Sequence, residues 1–187
     1  MQVNHSINLN VNLYRHYRQT IPLLSMEIKE LLAKYISGYD LLCKQLDQMP
    51  ESAIDFSPSE NQWNVAEIIV HLADSEAHGF VRAKKIIAEC GGKVCVYNKQ
   101  IWADKLYYDQ MEYKDALEMI RIIRKSLYKV LTLIPKDVWH NYIYHPETGK
   151  ISLLDWIQLY NDHIDIHIQQ MHRNFYDWKK ANEEEIA

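Results

Sequence analysis

Four stretches of this chain repeat apolar residues every three to four positions, with almost nothing inside them to interrupt a helix. That period places the apolar side chains on one face of an α-helix, so it limits the chain to architectures in which helices bury those faces against each other. The first stretch carries Ile28, Leu31, Leu32, Tyr35, Tyr39, Leu42 and Leu46, beginning near Pro22 and ending at Pro50. The second runs from Asn64 to about Glu89 through Ile68, His71, Leu72, Ser75 and His78, and Gly91-Gly92 stops it. Asn64 followed by Glu67 predicts a capping box, in which each side chain satisfies a backbone donor of the first turn. The third stretch, Glu112 to Ile134, carries Ala116, Leu117, Ile120, Ile123, Leu127, Val130 and Leu131 ahead of Pro135. The fourth opens at Ser152, with Asp155 three residues on, and continues to about Lys180.

Only five glycines occur, and no run shows the alternation and turn signals that a sheet needs. The expectation is an all-α fold, a four-helix bundle with long loops and short extra helices. Helices of about 23 to 29 residues span roughly 35 to 43 Å, which suits one antiparallel bundle. Glu51 to Gln62 reads as a connecting loop, and Trp139 to Lys150 as a long ordered loop built on His145-Pro146 and Thr148-Gly149. Lys93 to Gln110 has no clear period and holds at most a short helix around Trp102 to Leu106. At 187 residues the chain is read as a single domain over 1–187, with an N-terminal arm at 1–20 and an acidic, solvated tail at 181–187.

Bulk properties exclude several classes. A net charge of −4 offers no electrostatic footprint for nucleic acid. No apolar run approaches about 18 residues, and the N-terminus lacks the pattern of a signal peptide. Cys43, Cys90 and Cys95 are too few and too irregular for a disulfide framework, which fits a reducing cytoplasm. Cys90 and Cys95 have no second Cys/His pair at ligand spacing to complete a metal site.

The candidate chemistry lies with histidine. His163 and His167 stand four residues apart in an unbroken helical stretch, so their imidazoles project from one face and can share a metal ion. Trp156, Tyr160, Gln170 and Asn174 continue that stripe as a polar and aromatic seam where a bundle is normally aliphatic. The spacing alone is weak, because nine histidines produce roughly 0.4 such pairs by chance. His71 lies among Ile68, Ile69, Val70 and Leu72, where a lone histidine is more often a hydrogen-bonded core residue than a ligand. His5, His16, His140, His145 and His172 lack helical partners and read as surface or loop residues, and His78 is a weak stand-in ligand.

In combination these segments resemble a known family. The stretch Gln62-Trp63-Asn64-Val65-Ala66-Glu67-Ile68-Ile69-Val70-His71-Leu72-Ala73-Asp74-Ser75-Glu76 resembles the second-helix signature of the DinB/YfiT-like superfamily of metal-dependent enzymes. Trp139, His145-Pro146, Gly149, Ser152-Leu153, Trp156, Tyr160, His163, His167 and Gln170 are similar to its loop and last helix. The resemblance implies an up-and-down-type four-helix bundle and a metal triad of His71, His163 and His167. Asp162 departs from the pattern, since a number of members have a second histidine there, and Lys93 to Gln110 matches nothing in it.

Three neutral imidazoles leave coordination positions open to water or substrate, as in catalytic rather than closed structural sites. Imidazole suits several metals, and the resemblance favours zinc or nickel. Asp74, one turn beyond His71, is a candidate general base or hydrogen-bond acceptor, and Tyr160 a candidate donor near the metal. The implied function is hydrolysis of a small-molecule substrate or S-transfer from a low-molecular-weight thiol, in a cytoplasmic homodimer that binds neither nucleic acid nor membrane. The alternative is a non-catalytic metal-binding or stress-associated bundle.

Overall fold

The computed structural model describes residues 25–60 and 62–184; the proposed N-terminal arm, Pro22, His5 and His16 lie outside them. Four long helices carry the fold: α1 (Met26–Leu46), α3 (Val65–Ala88), α5 (Tyr113–Leu131) and α6 (Leu153–Glu184). Two short ones, α2 (Glu51–Ile54) and α4 (Lys99–Lys105), interrupt the connections. Each long helix coincides with one periodic stretch. The Asn64 side chain accepts from the Glu67 N–H at 2.8 Å while Glu67 accepts from the Asn64 N–H at 2.9 Å, so the expected capping box is formed. Ser152 and Asp155 make the same reciprocal pair at the start of α6.

Packing does not follow chain order. α1 packs on α5 and α6, and α3 packs on the same two, so α1 and α3 lie diagonally across the bundle. One core layer joins the start of α1 (Ile28, Leu32, Tyr35), the end of α3 (Ala83, Ile86), the end of α5 (Leu127, Leu131) and the start of α6 (Leu153, Trp156, Ile157). A second joins Leu42 and Leu46, Val65 to Ala73, Ile120, and Ile164 with Met171. The order is therefore up, down, down, up. The consecutive helices α3 and α5 are parallel, as are α1 and α6, and this departs from an all-antiparallel arrangement. A parallel pair needs a connection that returns along the bundle, and residues 89–112, including Lys93 to Gln110, make that return across the outer face of α3.

Two expectations about loops are corrected. Glu51 to Gln62 is not wholly a loop, because Pro50 caps the single turn of α2. Trp139 to Lys150 is not merely an ordered loop: β1 (Tyr142–His145) and β2 (Gly149–Ser152) form an antiparallel hairpin with Ile143 opposite Ile151. Gly149 turns it at φ +78, a conformation that a side chain resists. The strands are four residues each, too short for alternation to stand out from helical periodicity. The returning crossover adds to this hairpin, with Gly91 N–H donating to Tyr142 O at 2.7 Å and Tyr144 N–H to Gly92 O at 2.8 Å.

Candidate metal centre

α3 and α6 run antiparallel side by side, which brings His71, two turns into α3, opposite His163 and His167. One ligand atom from each of the three lies within 4.8 Å of the others. His71 and His167 are buried and His163 is half-buried. The His163 and His167 Nε2 atoms are 3.1 Å apart, close to the roughly 3.3 Å separating two nitrogens bound to one tetrahedral ion at 2.0–2.1 Å. Gln170 Oε1 lies 2.9 Å from His167 Nδ1, and Ser75 Oγ lies 3.5 Å from His163 Nδ1. Where Nδ1–H donates in both contacts, both Nε2 lone pairs are left free toward each other across 3.1 Å, the tautomer pair that can share one cation.

Protons are poorly suited to that role. Burial, reinforced by the charge of His167 and of Lys99, lowers the His71 pKa to about 3. Burial and the neighbouring His167 and His71 lower that of His163 to about 3 as well. His167 is lowered by burial against the opposing hydrogen bond of Gln170. The three rings are thus neutral, as metal ligands must be. Both ring nitrogens of His71 are buried without a hydrogen-bond partner among the described residues. A core histidine kept for packing would satisfy at least one.

The remaining candidates fall outside the triad. The Tyr160 hydroxyl donates to Ser75 O at 3.2 Å on the wall of the pocket that opens onto His71 and His163, and burial pushes its pKa up to about 12. Asp74 does not line that pocket; its carboxylate accepts the Tyr108 hydroxyl from the crossover. His78 stacks on Tyr97 with centroids 4.2 Å apart, away from the triad. Cys43, Cys90 and Cys95 are free thiols. His145, read from sequence as a loop residue, instead lines the triad's pocket.

One buried constellation escaped the sequence reading. Arg124 on α5, 1 % exposed, is ion-paired to Glu76 on α3 and donates to Tyr35 O on α1 at 2.6 Å and Tyr160 O on α6 at 3.0 Å. It ties all four long helices together just beside the triad. The only sequence signal was an arginine on the apolar stripe of α5, at the four-residue step between Ile120 and Leu127.

The family model of the DinB superfamily matches residues 37–171. The chain belongs to the DinB superfamily. It is 30% identical over 129 residues to an Oceanobacillus iheyensis protein described as "putative metal-dependent hydrolase", covering 68% of this chain and 74% of that one. The structure of YfiT from Bacillus subtilis, described as "a probable metal-dependent hydrolase with an unusual four-helix bundle topology", superposes with a TM-score of 0.71 at 21% identity, over 80% of this chain and 89% of YfiT. A mycothiol-dependent maleylpyruvate isomerase superposes with a TM-score of 0.62 at 13% identity, over 82% of this chain and 63% of the isomerase. These two likenesses establish the four-helix-bundle fold. No helix among the described residues is long and apolar enough to cross a membrane.

Proposed function

We propose that this protein is a metal-dependent enzyme acting on a small molecule, with His71, His163 and His167 holding a divalent cation, zinc or nickel. The observation that carries the reading is the triad itself: neutral imidazoles converging within 4.8 Å, with both His71 nitrogens otherwise unsatisfied. A divalent ion so held supplies Lewis-acid polarisation of whatever occupies its open position. The chain's own residues do the rest. Gln170 and Ser75 orient His167 and His163 from behind. Tyr160, kept protonated, is a hydrogen-bond donor on the pocket wall rather than a base. Asp74 acts through Tyr108, holding the crossover against α3, and is a positioning residue.

Hydrolysis is the reaction that the relatives' descriptions favour, and an open pocket of about 270 Å³ beside His71 and His163 also admits a low-molecular-weight thiol as second substrate. Three free thiols suit a reducing cytoplasm, and exposed apolar residues such as Ile122 on α5 and Ile166 on α6 suit a homodimer. Elemental analysis of the purified wild type and of His71→Ala, His163→Ala and His167→Ala tests the site. About one ion per chain in the wild type, lost in all three variants, is expected. Panels of esters, amides and thiol acceptors, assayed before and after chelation, then test the activity. Metal binding without any turnover would make the bundle a non-catalytic metal protein instead.

A further inference from the structure

The pocket that opens onto His71 and His163 is bounded by α3, α6, the crossover and the tip of the hairpin. Its two cations come from different elements: Arg82 from α3, one turn beyond His78, and Lys99 from the start of α4. Arg82 is half-buried, and of its five donors the structure uses one, Nη2 to Cys95 O at 3.1 Å. Its Nε is buried with no partner among the described residues. Neither Arg82 nor Lys99 has a carboxylate within ion-pair distance among those residues, whereas Lys34, Lys85 and Arg124 each do. A buried Nε–H without a partner costs stability, and an anion bound at the guanidinium would recover that cost.

Hairpin geometry adds a third donor. His145 Nδ1 accepts from the Glu147 and Thr148 N–H groups at 3.3 and 3.4 Å, which places the proton on Nε2. Among the described residues the pocket's one carboxylate, Glu147, is exposed at the hairpin tip. Val96 and Leu159 add apolar wall to the same pocket. Two cations, apolar wall and imidazoles thus line one pocket, with Lys99 close enough for its charge to reinforce burial in lowering the pKa of all three triad histidines.

We infer that Arg82, assisted by Lys99 and His145, binds the anionic group of the substrate, and that the substrate class is therefore small organic acids or phosphate esters whose uncharged reactive part faces the triad. The inference rests on the triad being the reaction centre. Arg82 and His145 take no part in holding the metal, and Lys99 bears on the triad only through its charge.

The test measures binding of 3-phenylpropionate, its uncharged amide and 2-phenylethylphosphonate to the purified full chain by calorimetry, with metal content determined on the same samples. In the wild type the better anion binds about tenfold or more tightly than the amide, as expected for charge-assisted hydrogen bonds. Arg82→Gln reduces that ratio to near one, and Lys99→Gln reduces it in part, with the amide's affinity, metal content and helical circular dichroism unchanged. Whether carboxylate or phosphonate binds more tightly distinguishes organic acids from phosphate esters. A wild-type ratio near one, or a ratio unaltered by Arg82→Gln because the anion sits on the metal, overturns the inference. Absence of metal from the wild type overturns the triad reading alone, because the anion preference is read independently of it.

Discussion

His71 shows how burial, reinforced by neighbouring charge, sets the chemistry of a side chain. Its ring stays neutral because protonation inside the bundle would strand a charge beside two other imidazoles. Between pH about 3 and 6.5 an unfolded chain therefore carries protons on His71 and His163 that the folded chain does not. Stability rises with pH across that window and is lost as pH falls through it, by about 1.4 kcal/mol per pH unit for each such histidine. Urea unfolding of chelator-treated protein between about pH 6 and about pH 4 should show this slope, and His163→Ala should make it shallower. Gly79 is the other decisive residue. A Cβ there would overlap the Tyr160 ring and stand 2.6 Å from its hydroxyl, so Gly79→Ala should cost about 1–3 kcal/mol in urea unfolding and displace Tyr160 from Ser75.

Among elements, α3 bears most of the site. It supplies His71, Ser75 and Arg82 on faces set by its starting point, and the Asn64–Glu67 box defines that start. Asn64→Ala should lower stability by about 1 kcal/mol, read as a lower thermal midpoint, with hydrogen exchange faster in the first turn of α3 than elsewhere. The capping box was legible in sequence because it is made of residues three apart. The hairpin was not, because its four-residue strands are too short for alternation to show, and the crossover around Gly91 and Gly92 that supports it lies some fifty residues earlier. The crossover itself was illegible for the same reason. Tyr97, Trp102 and Tyr108 pack against α3 through His78, Trp63 and Asp74 rather than through any local pattern.

At the scale of the molecule, the Arg124–Glu76 pair holds four helices whose order in space is not their order in the chain. Burial pushes the Glu76 carboxyl up, and Arg124 opposes that shift. Arg124→Met should cost about 3–5 kcal/mol, because it leaves a buried acid without its partner. Arg124→Met combined with Glu76→Leu should recover much of the loss, and a double-mutant cycle in urea measures the coupling. Gly38 belongs to this network, since a Cβ there would overlap the Arg124 guanidinium and crowd the arginine that bonds the Tyr160 carbonyl.

Sequence alone determined the four long helices, the caps that open α3 and α6, and the histidine spacing on α6, since each depends on residues within one or two turns of each other. Its likeness to a family supplied the pairing of His71 with His163 and His167, which spacing could not, because they are some ninety positions apart. Only the tertiary structure decided the up-down-down-up order, the hairpin and crossover that wall the pocket, and the Arg124 network. Each of these depends on which faces meet in space. Periodicity says that a face is buried; it does not say against what.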